Sequence, residues 1–195
     1  MNNKYNIDPA ATAIKRKKRI TPYAKGMVEM HNKVIDFESV LDFGCGWSKD
    51  VELYQENGIE AVGYDRHPKF GYTSKPDSKF DLVTMIFVLN VLPSREERLE
   101  AISQAKQYLK DKGSLLIVSR TDRVIEKKAR ESGWESYNDG YISRVLKNNR
   151  AMFQKGLSKD DIIDLAEESG LSLHPKDEVI KFKPYSSYAL FIKDR

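Results

Sequence analysis

Asp42, Gly44 and Gly46 form an Asp-x-Gly-x-Gly run, and a second carboxylate, Asp65, stands 23 residues after the first. Each carboxylate closes a short apolar stretch, residues 40–41 before Asp42 and residues 59–64 before Asp65. Glycines let a backbone approach a ligand closely, and an acidic side chain at the tip of the next strand accepts hydrogen bonds from two ribose hydroxyls. The pattern points to nucleotide chemistry outside the carboxyl ends of strands in an open α/β sheet. It is not a dinucleotide fingerprint. That needs G-x-G-x-x-G leading into a helix whose N-terminus takes a pyrophosphate, and Gly44-Cys45-Gly46-Trp47-Ser48-Lys49 lacks the third glycine. Asp42 would also repel a pyrophosphate. It suits a ligand carrying positive charge, such as an amino-acid ammonium.

Other residues invite chemistry less directly. Asn90 is a candidate substrate ligand, and equally a loop or helix-start residue. Cys45, the single cysteine, invites a nucleophile reading. It lies inside the glycine turn, where a small packed residue is wanted, and packing is the preferred reading. With one cysteine no intrachain disulfide forms, and a reducing, cytoplasmic setting is expected. His31, His67 and His174 have no metal-ligand spacing, so no metal is expected. Residues 120–157 carry nine Lys/Arg against five Asp/Glu, with Trp134, Tyr137, Tyr141 and Phe153 among them. These rings could stack on bases or pack the segment onto the domain. Tyr137 and Tyr141 are candidate substrate residues.

The charge is unevenly placed. The net charge is +4, yet residues 1–25 hold seven Lys/Arg against Asp8 alone, leaving the remainder slightly acidic. Five consecutive cations, Lys15, Arg16, Lys17, Lys18 and Arg19, suggest a polyanion partner, most plausibly nucleic acid. A solvated face is the competing reading.

The elements that must position these residues follow a clear rhythm. At 195 residues, 40% hydrophobic and 32% charged, the chain suits one globular domain and excludes collagen-like or disordered classes. No apolar run approaches the roughly 20 residues of a membrane helix, and the opening residues lack the apolar core of a secretory leader. Residues 1–20 read as a basic arm and residues 21–195 as one domain with an insertion at about 120–157. A helix starts at Thr21. Strands over residues 40–43, 59–64, 80–87 and 114–119 alternate with helices over 50–57 and from Ser94, where Glu97 would complete a capping box and Gly113 would end the helix. The all-apolar run 114–119 suits a parallel strand covered on both faces. Another helix starts at Ser158, and residues 178–183 and 188–193 read as a closing hairpin. The expected fold is α/β, a Rossmann-like, doubly wound, mostly parallel sheet with a C-terminal antiparallel hairpin.

The ordered set resembles the class I S-adenosylmethionine-dependent methyltransferases. Their first motif, D-x-G-x-G-x-G, is followed by Asp42 to Ser48 apart from Ser48 at the third glycine. Phe80-Asp81-Leu82-Val83 and Met85-Ile86-Phe87-Val88-Leu89-Asn90-Val91-Leu92 resemble their fourth motif. The resemblance covers about residues 38–120. It implies S-adenosylmethionine as cofactor, with Asp42 and the backbone of Phe43, Gly44, Cys45 and Gly46 at its methionine part and Asp65 at the ribose. Arg66 or His67 would flank the adenine, and Met85, Ile86 and Phe87 would line the sulfonium end. The family's adenine-contacting acid on a third strand is missing, with Asp77 the nearest candidate. Thr12-Ala13-Ile14-Lys15-Arg16, Val88-Leu89-Asn90-Val91-Leu92-Pro93 and Phe153-Gln154-Lys155-Gly156 look like a group of methyltransferases associated with bacterial DNA phosphorothioation and phage-defence islands. Asn90-Val91-Leu92-Pro93 is not the Asp/Asn-Pro-Pro-aromatic loop of amino-directed DNA methyltransferases. The expected activity is methyl transfer to nucleic acid or a nucleotide-like acceptor. The alternatives are a small-molecule acceptor, or a non-catalytic module that binds cofactor and nucleic acid.

Overall fold

The structure, a computed structural model, describes residues 4–13, 19–47, 49–182 and 186–193. Its elements run β1 (Asn6–Ile7), α1 (Pro22–Met30), β2 (Ser39–Phe43), α2 (Asp50–Glu56), β3 (Glu60–Tyr64), β4 (Phe80–Ile86), α3 (Arg95–Gln107), β5 (Leu109–Arg120), α4 (Asp122–Ser132), β6 (Glu135–Tyr137), β7 (Gly140–Val145), β8 (Arg150–Gln154), α5 (Lys159–Glu168), β9 (Ser172–Leu173) and β10 (Ser186–Ile192).

A six-stranded sheet in the order β3-β2-β4-β5-β10-β9 forms the centre. Its first four strands are parallel, and β10 is antiparallel to both neighbours. Strand side chains alternate between faces, and here both faces are buried. Leu41, Val83, Leu115, Ile117 and Phe191 enter one apolar cluster, with Ile102 and Leu165 of the covering helices. Val40, Leu82, Leu116, Val118 and Leu190 enter the other, with Met27 and Tyr54. The uninterrupted apolar runs follow from this double burial. Among the described residues no helix is long and apolar enough to cross a membrane.

Three expectations are corrected. The helix from Ser94 ends at Gln107 rather than at Gly113, because Phe80 N–H takes the Tyr108 carbonyl at 2.7 Å and the chain has already turned into β5. A register shift before Ser114 absorbs residues 110–113, with Lys112 at φ +63. The partner of β10 in the closing hairpin is Ser172–Leu173, not residues 178–183. Buried Asp177 is the reason: its Oδ1 accepts the Leu190 N–H at 2.7 Å and its Oδ2 pairs with Lys159 at 2.5 Å, which folds residues 177–179 into a 3-10 turn.

The third correction concerns the arm. Residues 6–7 form β1, which pairs in parallel with β8 and joins a second sheet, β1-β8-β7-β6, built from the 120–157 segment. Tyr5, Ile142, Ala151 and Phe153 make its small core. Asp8 pairs with Arg150, and a 3-10 turn at Pro9–Thr12 leads on. Apolar Tyr5 and Ile7 explain the docking, helped by the ion pair of Lys4 with Glu135 at 2.7 Å; the run of five cations begins only at Lys15.

Candidate active site

A cavity of about 510 Å3 opens at the carboxyl ends of β2, β3 and β4. Asp42 to Trp47 and Tyr64 to His67 border one end, and Ile86 to Val88 with Asn90 to Leu92 another. Pro9, Ala10, Thr12 and Ala13, then Arg19 to Pro22, form a roof from the N-terminal segment. Arg120, Gln154 and the α3 residue Glu97 complete the wall.

The glycine turn and the second carboxylate are wired together. Gly44 has φ +75, and a Cβ there would come within 2.5 Å of Val88 Cγ2, so only glycine fits without a shift. Its N–H donates to the Tyr64 carbonyl at 2.7 Å. Gly46, at φ +55, donates its N–H to Asp65 Oδ2 at 3.0 Å, and His67 N–H donates to Asp65 Oδ1 at 2.9 Å. A carboxylate accepts about four hydrogen bonds, so this one is oriented by two amides and keeps capacity for a diol.

Asp42, 2% exposed, accepts a hydrogen bond from Thr84 Oγ1 of the neighbouring strand at 3.1 Å. Asp50, also buried at the cavity wall, accepts from Thr21 N–H at 2.6 Å and Thr21 Oγ1 at 2.7 Å. Thr21 caps α1 through Ala24 N–H, so Asp50 joins the starts of two helices. Cys45 is buried. Loss of solvation, then the charges of Asp42 and Asp65, push its thiol far up. A thiol held protonated is a poor nucleophile, and Cys45 serves packing.

Trp47, His67 and Phe70 supply an aromatic corner, with ring centroids 5.1 Å apart for Trp47–Phe70 and 5.7 Å for His67–Phe70. Phe87 sits at φ +60, a backbone region that bulky residues rarely enter. Its N–H donates to the Val118 carbonyl at 2.8 Å, and the Arg120 guanidinium lies 5.2 Å from its ring centroid. Burial pushes the Glu97 carboxyl up, and Arg66 nearby pulls it back.

Asp42, Phe43, Gly44, Cys45, Gly46, Asp65, Arg66, Ile86, Phe87 and Asn90 all line this one cavity. Met85 does not: it is fully buried among Val83, Leu89 and Ile117, because alternation turns residues 83 and 85 away from the face of 82, 84 and 86. Asp77 is exposed and is not on the cavity wall. Tyr137 faces a neighbouring hollow of about 410 Å3, in edge contact with Tyr5 at 5.7 Å. That hollow shares Pro9, Arg66 and Glu97 with the main cavity. Tyr141 pairs across the small sheet with Gln154 and lines neither space. Lys15, Arg16 and Ser48 lie outside the described residues.

Several wall residues escape sequence reasoning: Thr21, Trp47, Phe70, Glu97, Arg120 and Gln154. Each residue of Phe153-Gln154-Lys155-Gly156 has a place here. Phe153 fills the small core and Gln154 borders the cavity. Lys155 N–H donates to the Asn90 carbonyl at 2.8 Å. Gly156 lies against Asp122, where a Cβ would come within 2.2 Å of that residue's Cα.

The sequence model of a methyltransferase domain family matches residues 7–175. No curated protein matches the chain in sequence. Among solved structures, a SAM-dependent methyltransferase from Methanosarcina mazei superposes with a TM-score of 0.62 at 16% identity, covering 85% of this chain and 97% of that one. The Burkholderia thailandensis 1,6-didemethyltoxoflavin-N1-methyltransferase, solved with 1,6-didemethyltoxoflavin and S-adenosylhomocysteine, gives 0.54 at 13%, covering 88% and 77%. Human N-acetylserotonin methyltransferase, solved with SAM, gives 0.55 at 12%, covering 88% and 52%.

Proposed function

The chain belongs to the methyltransferase domain family, and we propose that it transfers a methyl group from S-adenosylmethionine to a small acceptor enclosed in the cavity described above. The roof carries this reading. Pro9, Ala10, Thr12 and Ala13 line the cavity together with the glycine turn and Asn90, which suits an acceptor small enough to enter a space of about 510 Å3.

The donor set fits the cofactor. Asp42 would meet its ammonium group with a buried negative charge, and Asp65 would take the ribose hydroxyls. Trp47, His67 and Phe70 would flank the adenine, while Ile86 and Phe87 would border the sulfonium end. When bound, the cofactor supplies a methyl group on a sulfonium, which is already a strong electrophile. The protein's part is alignment and exclusion of water. A reducing cytoplasmic setting suits the one buried thiol.

A second reading, transfer to nucleic acid or a nucleotide-like unit, is favoured by the cations at residues 15–19. The described residues flanking most of that run, Ala13 and Arg19, both border the cavity. An origin among phosphorothioation or phage-defence islands would fit this second reading.

Labelled cofactor, offered with separate pools of small heterocycles, nucleosides, DNA and RNA, tests both. Label in the small pools is expected. Label only in polymer moves the acceptor to nucleic acid. In that case replacing Lys15, Arg16, Lys17 and Lys18 by Gln abolishes most of a log-log salt slope of about −4 to −5, the value for five phosphate contacts.

A further inference from the structure

Asn90 is 2% exposed and lines the cavity, in the 3-10 turn Leu89–Val91 after β4. Its Nδ2 donates to Gln154 Oε1 at 3.2 Å, while its own Oδ1 is buried without a hydrogen-bond partner. Gln154, at the end of β8, borders the same cavity. The pair is held from the backbone side as well, since Lys155 N–H donates to the Asn90 carbonyl at 2.8 Å. A buried carbonyl oxygen is rarely left unpaired, and a rigid, unpaired one on a binding cavity points to a ligand.

We infer that Asn90 and Gln154 read the methyl acceptor, and that the acceptor is an uncharged molecule carrying a hydrogen-bond donor beside an acceptor on one edge, as in a lactam or an amide-bearing heterocycle. The inference rests on the methyl-donor reading of the same cavity and names its substrate class. The two carboxamides are coupled. With Asn90 donating to Gln154, the pair offers the Asn90 oxygen and the Gln154 nitrogen. If both amides are turned over, it offers the Asn90 nitrogen and the Gln154 oxygen. Either way the pair itself presents one donor and one acceptor and carries no charge. A carboxylate or phosphate would leave an oxygen facing an oxygen, and an ammonium would leave the amide nitrogen unmatched. Sites built to hydrogen-bond a substrate N–H or O–H reject analogues that lack it far more strongly than apolar pockets reject a changed methylene.

The test offers labelled S-adenosylmethionine with three sets of compact compounds: neutral lactams and hydroxy or amide heterocycles, carboxylates and phosphates, and amines. The expected label enters the first set and is lost when the edge N–H or O–H is blocked beforehand. Asn90→Leu should lower kcat/KM for the labelled compound about 10- to 100-fold, with the affinity for S-adenosylhomocysteine within about threefold of wild type. Because Asn90 is buried, Gln154→Leu at the more open partner provides the same readout should Asn90→Leu fail to fold. Label confined to anions or amines, label in none of the sets, or wild-type kcat/KM in a folded Gln154→Leu variant would overturn the inference. Calorimetry with S-adenosylhomocysteine separates the two levels. If the wild type does not bind it, the donor reading itself falls; if it binds and the pattern above fails, only the pair does.

Discussion

The two sheets build their halves of the cavity in different ways. In the six-stranded sheet, the cofactor side is made from neighbours in sequence. The turn follows β2 directly, Asp65 follows β3 directly, and Gly46 and Asp65 bond across 19 residues. Where the four-stranded sheet meets the end of β4, the proposed acceptor side is assembled from distant parts. Asn90 meets Gln154 across 64 residues, and Asp8 meets Arg150 across 142. Under the proposed function, chemistry shared by many methyl transfers sits on local structure, and chemistry peculiar to one acceptor sits on long-range assembly. A loop can change the second without disturbing the first.

The largest expected effect separates the halves from the cofactor side. Asp65→Ala removes the proposed ribose acceptor and also its two amide contacts, one of them to Gly46 of the turn. At about 1.5–3 kcal/mol for each hydrogen bond to a charged group, calorimetry should show at least a 100-fold loss of S-adenosylhomocysteine affinity. An unchanged constant would detach Asp65 from the site. Next, Gly44→Ala forces a Cβ against Val88 at φ +75. Denaturant unfolding should register about 1–3 kcal/mol of lost stability, with weaker cofactor binding. Equal stability would show that Val88 yields to a Cβ at this position.

From the other half, Tyr5→Ala empties the small core and removes the bond from Tyr5 Oη to Glu135 at 2.7 Å. Truncating a buried aromatic typically costs about 3–5 kcal/mol, and a satellite core should fall at or below that range. Amide exchange should accelerate in β1 and β8 and stay unchanged in β2 to β4. Uniform acceleration would mean that the sheets unfold as one unit. The smallest effect concerns pH. Burial raises the Asp8 carboxyl, but Arg150, the Ala11 N–H and Lys69 outweigh it and leave it below its ordinary value. A depressed carboxylate stabilises above the unfolded value and loses that contribution as pH falls through the folded one. At this exposed pair the contribution is at most about 1 kcal/mol. Below pH 4 the protection of the Asn6 and Ile7 amides, corrected for intrinsic exchange, should fall, and Arg150→Gln should weaken that pH dependence. If it persists undiminished in that variant, the Ala11 N–H and Lys69 hold Asp8 without Arg150.

The difference between the halves also explains what the sequence revealed. Asp42, the glycines and Asp65 were legible because their spacing alone puts them at adjacent strand ends. Ile86 and Phe87 followed from the strand end, but Met85 could not join them, since consecutive strand residues face opposite ways. The doubly wound sheet was legible from its apolar runs. The roof, Arg120 and Gln154 were not, because nothing local marks residues whose partners lie far along the chain. Tyr5 and Ile7 carried a faint signal, two apolar residues ahead of a charged run.

The parallel pairing of β1 with β8 also sets an order of assembly. A growing chain emerges from its N-terminus, so Asn6 and Ile7 exist long before Arg150 and Ala151, with which they register. The floor of the cavity has all its strands once residue 120 is made, while the first strand still has nowhere to dock. Closing so long a loop is entropically slow. During synthesis β1 therefore waits for β8, and the four parallel strands around the glycine turn are made before the pairing of Asn6 and Ile7 with residues 150–151 can close.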